Sequence, residues 1–106
     1  MDSDLKSNTE KIIEFRDDRD WAQYHDPKNL SQALSIEAAE LQEIFLWKTR
    51  QESRELSPQD IERVSEEIAD IFIYLTHLCH KSKIDLLEAA RRKIIKNGEK
   101  YTIQKS

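Results

Sequence analysis

One glycine and two prolines among 106 residues leave this chain few places to break a helix. Leu, Ile, Ala, Glu, Lys, Gln and Arg dominate the rest, which predicts an all-α fold. Both prolines stand where helices begin. Ser57-Pro58-Gln59-Asp60 combines a serine cap, proline in the first turn and an acid at the positive helix end. His25-Asp26-Pro27 reads as a turn, because proline steers the residue before it away from helix. The expected elements are four helices. The first runs from Asp4 to Asp20, with Leu5, Ile12, Ile13 and Phe15 as its apolar positions. Asn29 with Gln32 makes a capping box for the second, which continues to Glu52. The third spans Pro58 to His80 or Lys81. Asp85 with Glu88 caps the fourth, which stops at Asn97-Gly98.

The length suits one domain over residues 1–106 with a modest core. A net charge of −4 offers no general attraction to nucleic acid or to an anionic membrane. Cys79 is the single cysteine, so an internal disulfide and a cysteine-based zinc site are excluded; it reads as a small buried residue. No apolar run approaches the ~20 residues of a membrane span, and the polar N-terminus is unlike a signal peptide. The expected setting is the cytoplasm.

The acids divide into two kinds. Glu10, Glu14, Glu43, Glu52, Glu55, Glu62 and Glu66 read as ordinary surface acids. Glu37 and Glu40 in Ser35-Ile-Glu-Ala-Ala-Glu-Leu, and Glu67 and Asp70 in Glu66-Glu-Ile-Ala-Asp-Ile, are i, i+3 pairs, each on one helix face. Glu37 falls in the middle of the stripe formed by Leu30, Ala33, Leu34, Leu41 and Ile44. A carboxylate so placed is costly unless it is paired or binds a cation. On the third helix, Glu67, Asp70, Tyr74 and His77 flank the stripe Val64, Ile68, Ile71, Leu75 and Leu78. Two such motifs on facing helices would make an oxygen cage suited to Mg²⁺ or Mn²⁺ rather than zinc.

Two further groups accompany the acids. Arg91, Arg92, Lys93, Lys96 and Lys100 crowd the last helix; Lys93, Asn97, Lys100 and Tyr101 share a face that would suit phosphates and a sugar or base. Helix-dipole compensation is the simpler reading of those cations. Trp21, Tyr24 and His25 precede the second helix, and Phe45 and Trp47 lie at its far half. Such aromatic residues serve core packing or stack on a base. His77 and His80 read as structural or solvated. Ile36, Phe45, Phe72 and Ile73 fall outside any single stripe, so the helices need more than one neighbour and a homo-oligomer is expected.

Arg19-Asp-Trp-Ala-Gln-Tyr-His-Asp-Pro-Lys-Asn-Leu and Ile36-Glu-Ala-Ala-Glu-Leu-Gln-Glu-Ile-Phe-Leu-Trp-Lys, followed by Glu66-Glu-Ile-Ala-Asp-Ile-Phe-Ile-Tyr-Leu and Lys93-Ile-Ile-Lys-Asn-Gly-Glu-Lys-Tyr, carry a family resemblance. In this order they resemble the MazG-like nucleotide pyrophosphohydrolases, and within them the compact branch that includes dCTP pyrophosphatases. The resemblance implies a four-helix bundle with a dimeric core, either a dimer or a dimer-of-dimers tetramer. It implies that Glu37, Glu40, Glu67 and Asp70 hold Mg²⁺, with Glu37 or Glu40 activating the attacking water. It places Lys93, Asn97, Lys100 and Tyr101 at phosphates and nucleoside, Trp21, His25 and Trp47 at the base, and Lys48 at the triphosphate. The implied activity is hydrolysis of (deoxy)nucleoside triphosphates to monophosphate and pyrophosphate, with a dCTP-like substrate favoured and nucleotide-pool house-cleaning as the role. Alternatives are dUTP or phosphoribosyl-ATP as substrate, or a non-enzymatic helical dimerisation module.

Overall fold

The computed structural model describes residues 2–101 and 103, and among them every regular element is helical. Helix α1 is Asp2–Asp18, and a short 3-10 turn occupies Ala22–Tyr24. Helix α2 is Pro27–Phe45, α3 is Arg50–Arg54, α4 is Pro58–Lys81 and α5 is Leu86–Lys100. The four expected helices are the long ones; α3 is an addition.

Capping explains where the boundaries fall, and where they differ from expectation. Asp26, not Asn29, caps α2: its Oδ1 accepts the Asn29 backbone N–H at 2.8 Å, and its Oδ2 accepts from Asn29 Nδ2 at 2.9 Å. Pro27 follows as the first helical residue, where its missing N–H costs nothing, so the cap moves ahead of Asn29. Nor does α2 reach Glu52. It ends at Phe45, and Thr49 starts α3 through a capping box. The Thr49 hydroxyl accepts the Glu52 N–H at 3.1 Å, while the Glu52 carboxylate accepts the Thr49 N–H at 2.9 Å. That local pairing offers the backbone an alternative to continued helix. Ser57 caps α4 through the Asp60 N–H, and Asp85 caps α5 through the Glu88 N–H. Each such cap contributes about 1 kcal/mol. Gly98 does not stop α5, which continues to Lys100. A glycine stop requires a left-handed residue, and Gly98 has no positive φ.

Helices α2 and α4 form the one extensive pair, and α1 packs across α4 to a lesser extent. Lys48 meets Asp60, Glu37 meets Glu67, and His25 meets His77, so α2 and α4 run antiparallel. Only Leu30 and Ile44 are fully buried apolar residues among those described, accompanied by the buried polar side chains Arg16, Thr76 and His77. Ile68 on α4 and Ile94 and Ile95 on α5 are 53%, 69% and 64% exposed. Helix α5 touches the other helices only marginally. The accessible surface is 8803 Å², whereas a folded monomer of 12.6 kDa exposes about 6,200 Å². The radius of gyration is 17.1 Å, against about 13 Å for a compact chain of this length. The two central helices are packed; much of the apolar surface around them is bare.

Candidate metal and nucleotide site

The antiparallel pairing of α2 and α4 turns two local i, i+3 motifs into one cluster. Carboxylate oxygens of Glu37, Glu67 and Asp70 all lie within 4.8 Å of one another. Glu40, one turn on from Glu37, adds negative charge beside that trio but is not itself one of the three. Glu37 Oε2 and Glu67 Oε2 are both buried without a hydrogen-bond partner. Ionised carboxylates can only accept, so oxygens this close together need a proton or a cation among them. Burial, then hydrogen bonding with Glu67 and Glu40, then the charges of Glu40 and Asp70, push the Glu37 carboxyl up to about 7. Among the described residues, the charges that shift Glu37 are those of Glu40 and Asp70, both negative. Unpartnered oxygens, a carboxylate-only donor set and a separation that one ion can span fit a hard divalent cation.

On either side of the acids the helix pair closes differently. Toward the N-terminus of α4, Lys48 Nζ donates to Asp60 Oδ2 at 2.8 Å, with side chains 25% and 20% exposed. The Lys48 ammonium holds the Asp60 carboxyl below its ordinary range. Toward the C-terminus of α4, His25 packs on His77 with ring centroids 4.6 Å apart. Beside them Arg16 is 4% exposed, donating from Nε and Nη2 to Asp17 Oδ1 and from Nη1 to His80 Nδ1 at 3.2 Å. Phe15 and Trp21 meet edge to face at 5.7 Å, with the Arg19 guanidinium 3.3 Å above the Phe15 ring.

Known proteins resemble this chain in sequence and in fold. The model of the MazG-like family matches residues 33–106, which carry both acidic motifs. The chain belongs to the MazG-like family. It is 39% identical over 95 residues to dCTP pyrophosphatase 1 of Bos taurus, covering 88% of this chain and 56% of that protein. To dCTP pyrophosphatase 1 of Homo sapiens it is 40% identical over 90 residues, covering 83% and 53%. The chain thus spans about half the length of the curated relatives it matches. The crystal structure of a pyrophosphatase from Archaeoglobus fulgidus superposes with a TM-score of 0.88 at 44% identity, covering 93% of each chain.

Against this MazG-like frame the remaining candidate residues separate. Trp21 and His25 lie ahead of α2 and Trp47 lies beyond it, at opposite ends of a 19-residue helix about 28 Å long. One subunit does not bring them into one pocket. Trp47 is 88% exposed and Trp21 46%. Lys93, Asn97 and Lys100 sit on α5 and Tyr101 at its C-terminal end, on a helix that packs only marginally against the others; Lys100 Nζ lies 5.2 Å from the Tyr101 ring centroid. Lys48 is engaged by Asp60 rather than by the acid cluster. An open groove of about 770 Å³ between α1, the end of α4 and the start of α5 has a mostly apolar surface, with charged side chains such as Glu10, Glu14 and Asp17 along it and none of the clustered carboxylates. Arg16, Asp60 and His77 lie outside the set of site residues that the sequence points to. His77 repeats the position of Asp70 one heptad later, which was the available signal.

Proposed function

We propose that this chain is a Mg²⁺-dependent nucleoside triphosphate pyrophosphohydrolase, with Mn²⁺ as a substitute ion and a dCTP-like nucleotide as its favoured substrate. The observation that carries this reading is the trio Glu37, Glu67 and Asp70, whose carboxylate oxygens lie within 4.8 Å of one another, with Glu37 Oε2 and Glu67 Oε2 buried and unpartnered. The names of the dCTP pyrophosphatases and of the archaeal pyrophosphatase support the reaction class and the base.

Glu37, Glu40, Glu67 and Asp70 would hold the ion. When bound, it supplies Lewis-acid polarisation of the phosphates and a template for the triphosphate. Glu37 or Glu40 would take the proton of the attacking water; burial and the neighbouring acids push the Glu37 carboxyl of the cation-free chain up to about 7. Hydrolysis between the α and β phosphates releases the nucleoside monophosphate and pyrophosphate. Lys93, Lys100 and Lys48 would stabilise charge on the departing pyrophosphate, with Asn97 and Tyr101 at the nucleoside. Trp21, His25 and Trp47 would bind the base.

This assignment needs a homo-oligomer, dimer or tetramer. The excess of accessible surface, the bare Ile68, Ile94 and Ile95, and the separation of Trp21 from Trp47 all support it. A second copy would cover the apolar faces and bring α5 to an acid cluster. House-cleaning of the nucleotide pool in the cytoplasm is the role that suits this activity.

The test is a hydrolysis assay with and without Mg²⁺ over canonical and modified NTPs and dNTPs, including dUTP and phosphoribosyl-ATP, with chromatographic separation of products. Monophosphate plus pyrophosphate, fastest with a cytosine deoxynucleotide, is expected. Diphosphate plus phosphate would mean that a different bond is cut. No turnover with any nucleotide would leave a helical dimerisation module.

A further inference from the structure

His77 has a cost that the fold alone does not repay. It is 6% exposed, and its Nδ1 is buried with no hydrogen-bond partner, as is Nδ1 of His25 against which it packs. A buried polar atom left unpaired costs about 1–3 kcal/mol, which phenylalanine would avoid in the same space. His77 also lies on the strip of α4 that carries Glu67 and Asp70. Seven residues beyond Asp70, it is displaced by about 20° around the helix and about 10 Å along it. His25 is the C-cap of the 3-10 turn and is followed by Asp26 and Pro27, so its backbone is fixed on both sides.

We propose that His77 is a positioning residue for the nucleoside end of the site: its buried ring fixes the plane in which His25 faces the substrate. This rests on the reading of His25 as a substrate contact. Neither Nδ1 has an acceptor for a proton, which favours the tautomer protonated at Nε2 and makes His25 a donor at its outer edge. The charge environment acts in the same direction. Burial, then Arg16 and Lys81, lower the pKa of His25. Burial, then His25, Arg16 and His80, lower that of His77 to about 4, with Asp17 alone opposing. Both rings are therefore neutral at pH 7, and His25 meets the substrate as an uncharged hydrogen-bonding group.

A double-mutant cycle on the intact protein tests this, with kcat and KM measured for the nucleotide that ranks first in the assay above. His25→Ala is expected to raise KM about tenfold with kcat changed less than about twofold. His77→Ala should raise KM about fivefold, and the double variant no further than His25→Ala alone, because both act through one ring. His77→Phe restores the ring contact and should return KM to within about twofold of wild type, which also guards against an alanine variant that misfolds. An undiminished effect of His77→Ala in the His25→Ala background would overturn the proposal. So would a KM that responds to His25→Ala and not to His77→Ala. If His25→Ala leaves KM unchanged, the substrate-contact reading of His25 fails first, while turnover at the acids stands on its own.

Discussion

The middle and the C-terminal end of α4 face the same partner helix and solve opposite electrostatic problems. In the middle, Glu37, Glu67 and Asp70 crowd like charges together, and Glu37 retains a proton that a carboxyl would ordinarily lose. At the end, buried His77 and half-buried His25 lie beside the Arg16 guanidinium and resist a proton that imidazole would ordinarily take near pH 6. The first arrangement is unstable without a positive partner and so calls for a ligand. The second is neutral as it stands and so calls for no counter-ion, only for hydrogen-bonding partners. Crowded carboxylates mark where charge must arrive; buried neutral rings mark a surface that holds a shape.

The comparison breaks most visibly at the acids. Glu67→Gln or Asp70→Asn should abolish turnover, while melting in the absence of divalent cation stays unchanged or rises, since a like charge has gone. A melt that falls sharply without cation would mean that these acids brace the fold.

A proton and a cation compete for Glu37, which gives a pH signature. The folded-state pKa is raised above the unfolded value, so the folded state binds more protons between about 4.5 and 7. Stability of the cation-free protein from this group is full below that window and is lost as pH rises through it. Added Mn²⁺ or Mg²⁺ should therefore raise the melting temperature more at pH 8 than at pH 6. Thermal melts at the two pH values read this out, and equal shifts would count against Glu37 as a ligand.

At the imidazole end the sign reverses. The folded-state pKa of His77 lies below 6.5, so the unfolded state binds more protons between about 4 and 6.5 and stability falls as pH falls through that window. His77→Phe should flatten that acid-side slope and add about 1 kcal/mol, or about 4–8 °C in melting temperature. The smallest effect belongs to Lys48. With its partner Asp60 retaining Arg63 at 3.6 Å, Lys48→Met should cost about 1 kcal/mol or less in urea unfolding.

The helices were legible in the sequence because each long one carries its own cap or periodic stripe; Ser57 and Asp85 are local signals that no distant contact overrides. Asp26 takes the cap expected of Asn29 because a proline at the first helical position moves the cap ahead. The break after Phe45 was hidden because Thr49 and Glu52 also suit a continuous helix. The acid cluster could be read from spacing, since i, i+3 pairs on two stripes need only antiparallel pairing to meet. What spacing could not convey is distance across elements. Trp21 and Trp47 look like one aromatic set in the sequence, yet a whole helix separates them. Arg16 gave no sign in its own helix that it would be buried beside two imidazoles donated by other segments.

The most direct test of the central claim is a calorimetric titration of Mn²⁺ into the protein at pH 6.5, in two buffers of different ionisation enthalpy. Wild type is expected to bind the ion and release part of a proton from Glu37, with binding lost in Glu67→Gln and Asp70→Asn. Unchanged affinity in both variants would contradict the account, because the cation would then sit elsewhere and the clustered carboxylates would not be the site.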